Sequence, residues 1–159
     1  MSNKKSGKQT KKEKIIYRRA EHSDLEDIRI FVDYWLAGRA KLAGIENAGN
    51  DYFVTTKQHQ QYIKNCVVLL AFINKKMVGW AVKERNNVLI HLLIDATQRG
   101  KGIGRTMLKE LDPDIIRSKS DQQTGNPAGF YEKYGYILCG TIQVGKKRNI
   151  DLMMKDTSK

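Results

Sequence analysis

Two spacings of apolar residues alternate along this chain of 159 residues, and the switches between them mark its elements. Ile15-Ile16-Tyr17-Arg18-Arg19-Ala20 is a short strand. Ser23-Asp24-Leu25-Glu26 has the capping-box pattern, in which a hydroxyl and a carboxylate each satisfy a backbone N–H. The helix that follows carries Leu25, Ile28, Val32, Trp35 and Leu36 at i, i+3/i+4 spacing and fades near Leu42-Ala43-Gly44. Gly44 to Val54 holds Gly, Asn and Asp and reads as a loop. Thr55 and Gln58 form a second capping-box pair and start a short helix through Ile63.

The spacing then changes. Val67–Ile73 is continuously apolar and of strand length. Asn74-Lys75-Lys76 is a tight turn, Met77–Glu84 the partner strand, Asn86-Asn87 a second turn and Val88–Ile94 a third strand. Strands joined by such short turns must be antiparallel. Ile103–Leu111 is a helix stopped at Asp112-Pro113, and Ile115–Lys119 is a short strand. Asn126 as N-cap with Pro127 at the first helical position starts a helix that ends at Gly135. Tyr136–Val144 and Ile150–Met154 are late strands. The order β-α-α-β-β-β-α-β-α-β-β predicts an α/β chain of the mixed α+β kind. Its sheet is mostly antiparallel and flanked by helices, unlike a strictly alternating doubly wound fold.

Charge adds an asymmetry. Lys and Arg number 29 against 17 Asp and Glu, a formal +12. Residues 1–14 carry six Lys and one Glu, with Met1 their only large apolar side chain. They are expected to form a disordered basic tail ahead of a single domain over residues 15–159. The tail is a solubilising segment or a contact for nucleic acid or an acidic partner. It lacks interleaved aromatics for base stacking, which disfavours nucleic acid. The longest apolar run is too short to cross a bilayer, so no membrane association is expected. No apolar signal core lies near Met1. The two cysteines, Cys66 and Cys139, have no CxxC context, which suits the cytoplasm, and both read as small apolar core residues. His22, His59 and His91 have no metal-ligand spacing, and no metal is expected.

The densest chemistry is Gln98-Arg99-Gly100-Lys101-Gly102-Ile103-Gly104, between a strand and a helix. Glycines at alternate positions bring bare backbone close to a ligand. Successive N–H groups at a helix N-terminus bind anions, and Arg99, Lys101, Arg105 and Lys109 add positive charge. The pattern predicts a pyrophosphate cradle; a flexible glycine turn is the alternative. It is not a Walker A loop, because Gly102 rather than Ser or Thr follows Gly100-Lys101. Nor is it the dinucleotide fingerprint, since the glycines run GxGxG and the strands before it are antiparallel.

Arg99-Gly100-Lys101-Gly102-Ile103-Gly104 resembles the R/Q-x-x-G-x-G/A motif of the GNAT superfamily of N-acetyltransferases. Asn74-Lys75-Lys76-Met77-Val78-Gly79-Trp80 is similar to that family's hairpin between its second and third strands. Phe130-Tyr131-Glu132-Lys133-Tyr134-Gly135-Tyr136 is similar to its late F-Y-x-K-x-G-[FY] helix end. The three segments come in the family's order, and the resemblance covers about residues 15–155.

The resemblance implies a GNAT-like acyl-CoA N-acyltransferase fold and acetyl transfer from acetyl-CoA to a primary amine of a small molecule or protein. Acetyl-CoA would lie where strands four and five splay apart. Backbone groups at Leu92, Leu93 and Ile94 would pair with the pantetheine arm. Backbone N–H groups of Arg99, Gly100, Lys101, Gly102, Ile103 and Gly104 would hold the pyrophosphate, with Arg105 beside them. The amine would attack directly, and Tyr131 would protonate the leaving thiolate. A phenol suits that task because it is neutral at resting pH. From the residues alone, Tyr131 reads as a core aromatic; the acid role comes from the resemblance. Asn126 maps near the family's coenzyme-binding Asn, with capping as its other role. A homodimer is left open.

The general base is not assignable from the sequence. Val88 falls where many relatives carry Glu or His. Alternation puts Val88, Ile90 and Leu92 on one face and His91 on the other, unless a bulge re-aims it. Glu84 and Asp95 are nearby. The substrate wall is expected from Trp35 to Thr56, where Trp35, Tyr52 and Phe53 could line it, and from Lys146-Lys147-Arg148. The absent base leaves a second function open: a non-catalytic CoA-binding module of the same fold.

Overall fold

The computed structural model describes residues 13–42, 54–118, 127–144 and 148–157. Among these, the elements run β1 (Ile15–Arg19), α1 (Leu25–Leu42), α2 (Thr56–Asn65), β2 (Val67–Ile73), β3 (Lys76–Lys83), β4 (Val88–Ile94), α3 (Ile103–Leu111), β5 (Ile115–Ser118), α4 (Ala128–Lys133), β6 (Tyr136–Val144) and β7 (Arg148–Lys155). This is the order expected from the sequence. The strands form one sheet, β1-β2-β3-β4-β5-β7-β6, in which only β4 and β5 pair in parallel.

Local chemistry explains the element ends. Asn74 and Lys75 take positive φ (50° and 68°), which closes the β2–β3 turn in two residues. Thr55 Oγ1 accepts the Gln58 N–H at 3.1 Å, and Gln58 Oε1 accepts the Thr55 N–H at 2.8 Å, forming the expected capping box. The start of α1 differs from expectation. A short 3₁₀ turn, His22–Asp24, precedes the helix, and Asp24 rather than Ser23 is the anchoring residue. Its carboxylate accepts from the Glu21 N–H and from both terminal nitrogens of Arg18, each at 2.8 Å. The Arg18 bonds hold the Asp24 carboxyl below its ordinary range, against the opposing pull of burial. In α4, Pro127 occupies the N-cap rather than the first helical position.

The sheet has a core on each side. Ile103, Met107, Leu108 and Leu111 repeat at helical spacing and press α3 onto Leu69, Ala71, Leu89, Ile116 and Met153, where Tyr131 of α4 joins them. Gly79 permits the close approach: a Cβ there would meet Met107 Sδ at 2.9 Å. On the other face, Ile28, Phe31 and Val32 of α1 cover Val68, Leu70, Trp80, Val82, Ile90 and Leu93. Full burial of one such side chain contributes about 1.5–3 kcal/mol. Cys66 is half-buried beside this second core, but Cys139 is exposed, contrary to expectation. Cys139 lies on β6, an edge strand of the sheet, where its neighbours Ile137 and Leu138 are exposed too.

Candidate functional site

The one parallel contact of the sheet is short. β4 and β5 pair only at Val88↔Ile115 and Leu89↔Ile116, although β4 continues to Ile94 and β5 to Ser118. Among the described residues the ladder ends at Leu89, leaving an opening between β4 and β5, and Leu92, Leu93 and Ile94 lie on the β4 side past that end. Their other edge is occupied, by pairing with Ala81, Trp80 and Gly79 of β3.

The glycine loop stands at the end of that opening. Asp95 ends β4 by accepting from the Thr97 N–H at 2.8 Å and the Thr97 hydroxyl at 2.6 Å, forming a 3₁₀ turn. This capping role occupies the carboxylate that the sequence offered as a base. Gly100 and Gly102 follow with φ of 86° and 76°, a region costly for any residue with a Cβ. Gly102 is the N-cap of α3, and no side chain caps the helix. The first intrahelical bond runs from the Thr106 N–H to the Gly102 carbonyl at 3.0 Å. The amides of Ile103, Gly104 and Arg105 therefore precede the helical ladder and carry the positive end of its dipole.

A Cβ on Gly100 or Gly102 would meet nothing within 4 Å, so open space faces the bare backbone. Arg99, Lys101 and Arg105 are exposed around it, while Ile103 is buried and pins the helix to the core. Lys101 Nζ contacts Glu13 Oε1 and Gln98 Oε1, each at 2.5 Å. A hollow of about 410 Å³ between α3 and the end of α4 includes Arg105, Lys109 and Tyr134 in its lining. These two cations thus lie along the α3–α4 groove beside the loop. The donor set fits a diphosphate: consecutive amides, a dipole and flexible cations.

Tyr131 lies on the α3/α4 face, only 7% exposed, and burial pushes its phenol well above the ordinary value. Phe130 beside it rests on Gly104, where an added Cβ would meet Phe130 Cζ at 3.3 Å. The loop glycine and the late helix are therefore packed as one unit. Asn126 lies outside the described residues.

The opposite face holds a cluster that the alternating pattern conceals. β3 and β4 pair at Val82↔His91 and then at Lys83↔Leu89, leaving Ile90 as an extra residue. The bulge turns His91 to the same side as Ile90. It also sends Leu92 to the α3/α4 core, correcting the expected Val88-Ile90-Leu92 face. His91 stacks on the buried Trp80, with ring centroids 4.9 Å apart at 26°, and its Nε2 lies 3.3 Å from the Tyr62 hydroxyl. Burial pushes the Tyr62 phenol up, and so does the Glu84 charge, while Arg117 pulls it down. Val88, the position that the sequence reading aligned with the family's base, packs against this core.

Trp35 is half-buried against the same core. Tyr52, Phe53, Lys146 and Lys147 lie outside the described residues, as does the side chain of Arg148. Among the described residues, no group of three or more His, Cys, Asp or Glu could hold a metal, and no helix is long and apolar enough to cross a membrane. Sequence reasoning singled out the loop, which lies between β4 and α3 as expected, and Tyr131, which is buried on α4. It missed the Tyr62, Trp80 and Arg117 grouping, because the run Val88–Ile94 is apolar at every position but His91 and gives no sign of the bulge.

Residues 37–154 match the model of the acetyltransferase (GNAT) domain. No curated protein matches the chain by sequence. Among solved structures, the chain is similar to a GCN5-related N-acetyltransferase from Rhodopseudomonas palustris, with TM-score 0.67 and 14% identity over 89% of this chain and 94% of that one. It is also similar to the PaiA N-acetyltransferase from Thermoplasma acidophilum in complex with coenzyme A, with TM-score 0.60 and 18% identity over 89% and 99% of the two chains. A third is Naa50 from Arabidopsis thaliana in complex with the bisubstrate analogue CoA-Ac-MVNAL, with TM-score 0.61 and 18% identity over 89% and 98%. The mixed seven-stranded sheet flanked by helices is that of these acyl-CoA N-acyltransferases, and the chain belongs to the GNAT family of acetyltransferases.

Proposed function

We propose that this protein is an acetyl-CoA-dependent N-acetyltransferase acting on a primary amine. The observation that carries the reading is the uncapped, glycine-led start of α3 at the end of the β4–β5 opening. The amides from Arg99 to Gly104 would hold the pyrophosphate, with Arg99, Lys101 and Arg105 supplying counter-charge. The edge of Leu92, Leu93 and Ile94 that faces away from β3 would hold the pantetheine arm. When bound, acetyl-CoA supplies a thioester-activated acetyl group. The protein's part is to orient it and move two protons.

An ammonium acceptor must lose a proton before its nitrogen can attack. The Tyr62 hydroxyl and His91 Nε2, 3.3 Å apart, offer a route: the hydroxyl takes that proton while passing its own to Nε2. This supplies a base where Val88 cannot. Tyr131, on the α3/α4 face, keeps its proton because burial raises its pKa. It can therefore donate to the sulfur as the nitrogen–carbon bond forms and the carbon–sulfur bond breaks. The reaction is tested by incubating the full chain with acetyl-CoA and amines and identifying N-acetylated product by mass spectrometry. Coenzyme A binding without any acetylated product would leave a binding module instead.

A further inference from the structure

Arg117 is the first residue of β5 beyond the β4–β5 ladder, whose last pair is Leu89↔Ile116. Ile116 is buried against α3, so alternation along β5 turns Arg117 to the α1/α2 face. Its charge is felt there by the Tyr62 phenol. Carrying the ladder register one step on sets Arg117 level with the bulge residue Ile90, next to His91. The Arg117 Nε is shielded from solvent and has no hydrogen-bond partner, and among the described residues no carboxylate pairs with the guanidinium. Arg18 and Arg29, by contrast, are paired with Asp24 and with Glu26 and Asp33. A shielded guanidinium N–H left without an acceptor is costly, and the planar fork matches carboxylate and phosphate oxygens.

We propose that Arg117 binds an anionic oxygen group, carboxylate or phosphate, carried by the acceptor amine itself. The amine then sits toward Tyr62 and His91 and the anion toward Arg117. This inference rests on the acetyltransferase reading and names the acceptor class for it.

The test uses the full chain saturated with coenzyme A, titrated calorimetrically with matched ligands. Glycine, β-alanine and 4-aminobutyrate are each compared with the alkylamine of the same chain length, and aminoethyl phosphate with ethylamine. The anionic members are expected to bind about ten- to a hundredfold tighter. Arg117→Gln should erase that difference, and Arg117→Lys should keep part of it. In turnover, Arg117→Gln should raise KM for anionic acceptors with kcat retained. Comparison of the carboxylate and phosphate arms identifies the oxygen group. Equal binding within pairs, binding of neither member, or an Arg117→Gln variant that weakens coenzyme A itself would overturn the proposal. The comparison within pairs needs no variant to fold. Discrimination in binding without any acetylated product would instead leave Arg117 in place and remove the acetyltransferase reading.

Discussion

The Tyr62 hydroxyl and His91 Nε2 lie 3.3 Å apart because β4 carries one residue more than β3 at Ile90. Without that bulge, His91 would point into the α3/α4 core, away from the Tyr62 hydroxyl.

His91→Gln should therefore lower kcat/KM by about a hundredfold or more near neutral pH, the usual scale for a lost general base. The acid limb of the pH–rate profile should flatten with it. Tyr62→Phe should have a smaller effect in the same direction. Coenzyme A affinity, read by titration, should stay the same in both. An unchanged acid limb in His91→Gln would remove His91 from the proton route.

Tyr131→Phe tests the acid on the other face. The substitution keeps the ring in its core position, so folding and coenzyme A binding should be nearly intact while turnover falls by about a hundredfold. Turnover equal to wild type would remove Tyr131 from catalysis and leave it as a core aromatic.

The glycine loop separates strain from ligand contact. Gly102→Ala meets no atom within 4 Å but must adopt a φ of 76°. A stability loss of about 1–2 kcal/mol is expected from that conformation alone. Coenzyme A affinity should fall further, by about tenfold or more, because the methyl group projects where the diphosphate would approach. Arg99→Glu should weaken coenzyme A binding without a comparable loss of Tm. Wild-type affinity in both variants would place the diphosphate elsewhere.

Alkaline stability should report the buried phenols. Tyr136 is buried and donates to the Pro113 carbonyl at 2.6 Å. Burial first, then the Asp112 and Asp114 charges, push its pKa up to about 12. An unfolded tyrosine ionises near pH 10. Between these values the unfolded chain releases the proton and the folded chain holds it, so stability is full below pH 10 and falls as the pH rises toward 12. The loss should be at most on the order of 2–3 kcal/mol from this residue. Tyr136→Phe should be less stable near neutrality by about 1 kcal/mol, yet lose less on going alkaline. Denaturant midpoints across that range check it.

Much of the fold was legible in the sequence because its signals are local. The apolar run Val67–Ile73, the turn at Asn74-Lys75 and the Thr55/Gln58 cap each act within a few residues, and the structure has them where they were expected. The glycine loop was legible for the same reason. The acceptor side was not. Its position depends on one extra residue in β4, Ile90, and on β5 meeting β4 in parallel at two described pairs. Neither leaves a local signal that a period-two reading can register. Asp24 went unassigned as an anchor because its partner, Arg18, stands in the preceding strand.

Continuous measurement of thiol release from acetyl-CoA over a panel of primary amines bears most directly on acetyl transfer at this site. The protein should release coenzyme A with at least one amine, in step with N-acetylated product, and His91→Gln and Tyr131→Phe should each slow that release. Release no faster than spontaneous hydrolysis for every amine, anionic ones included, would contradict the enzymatic reading.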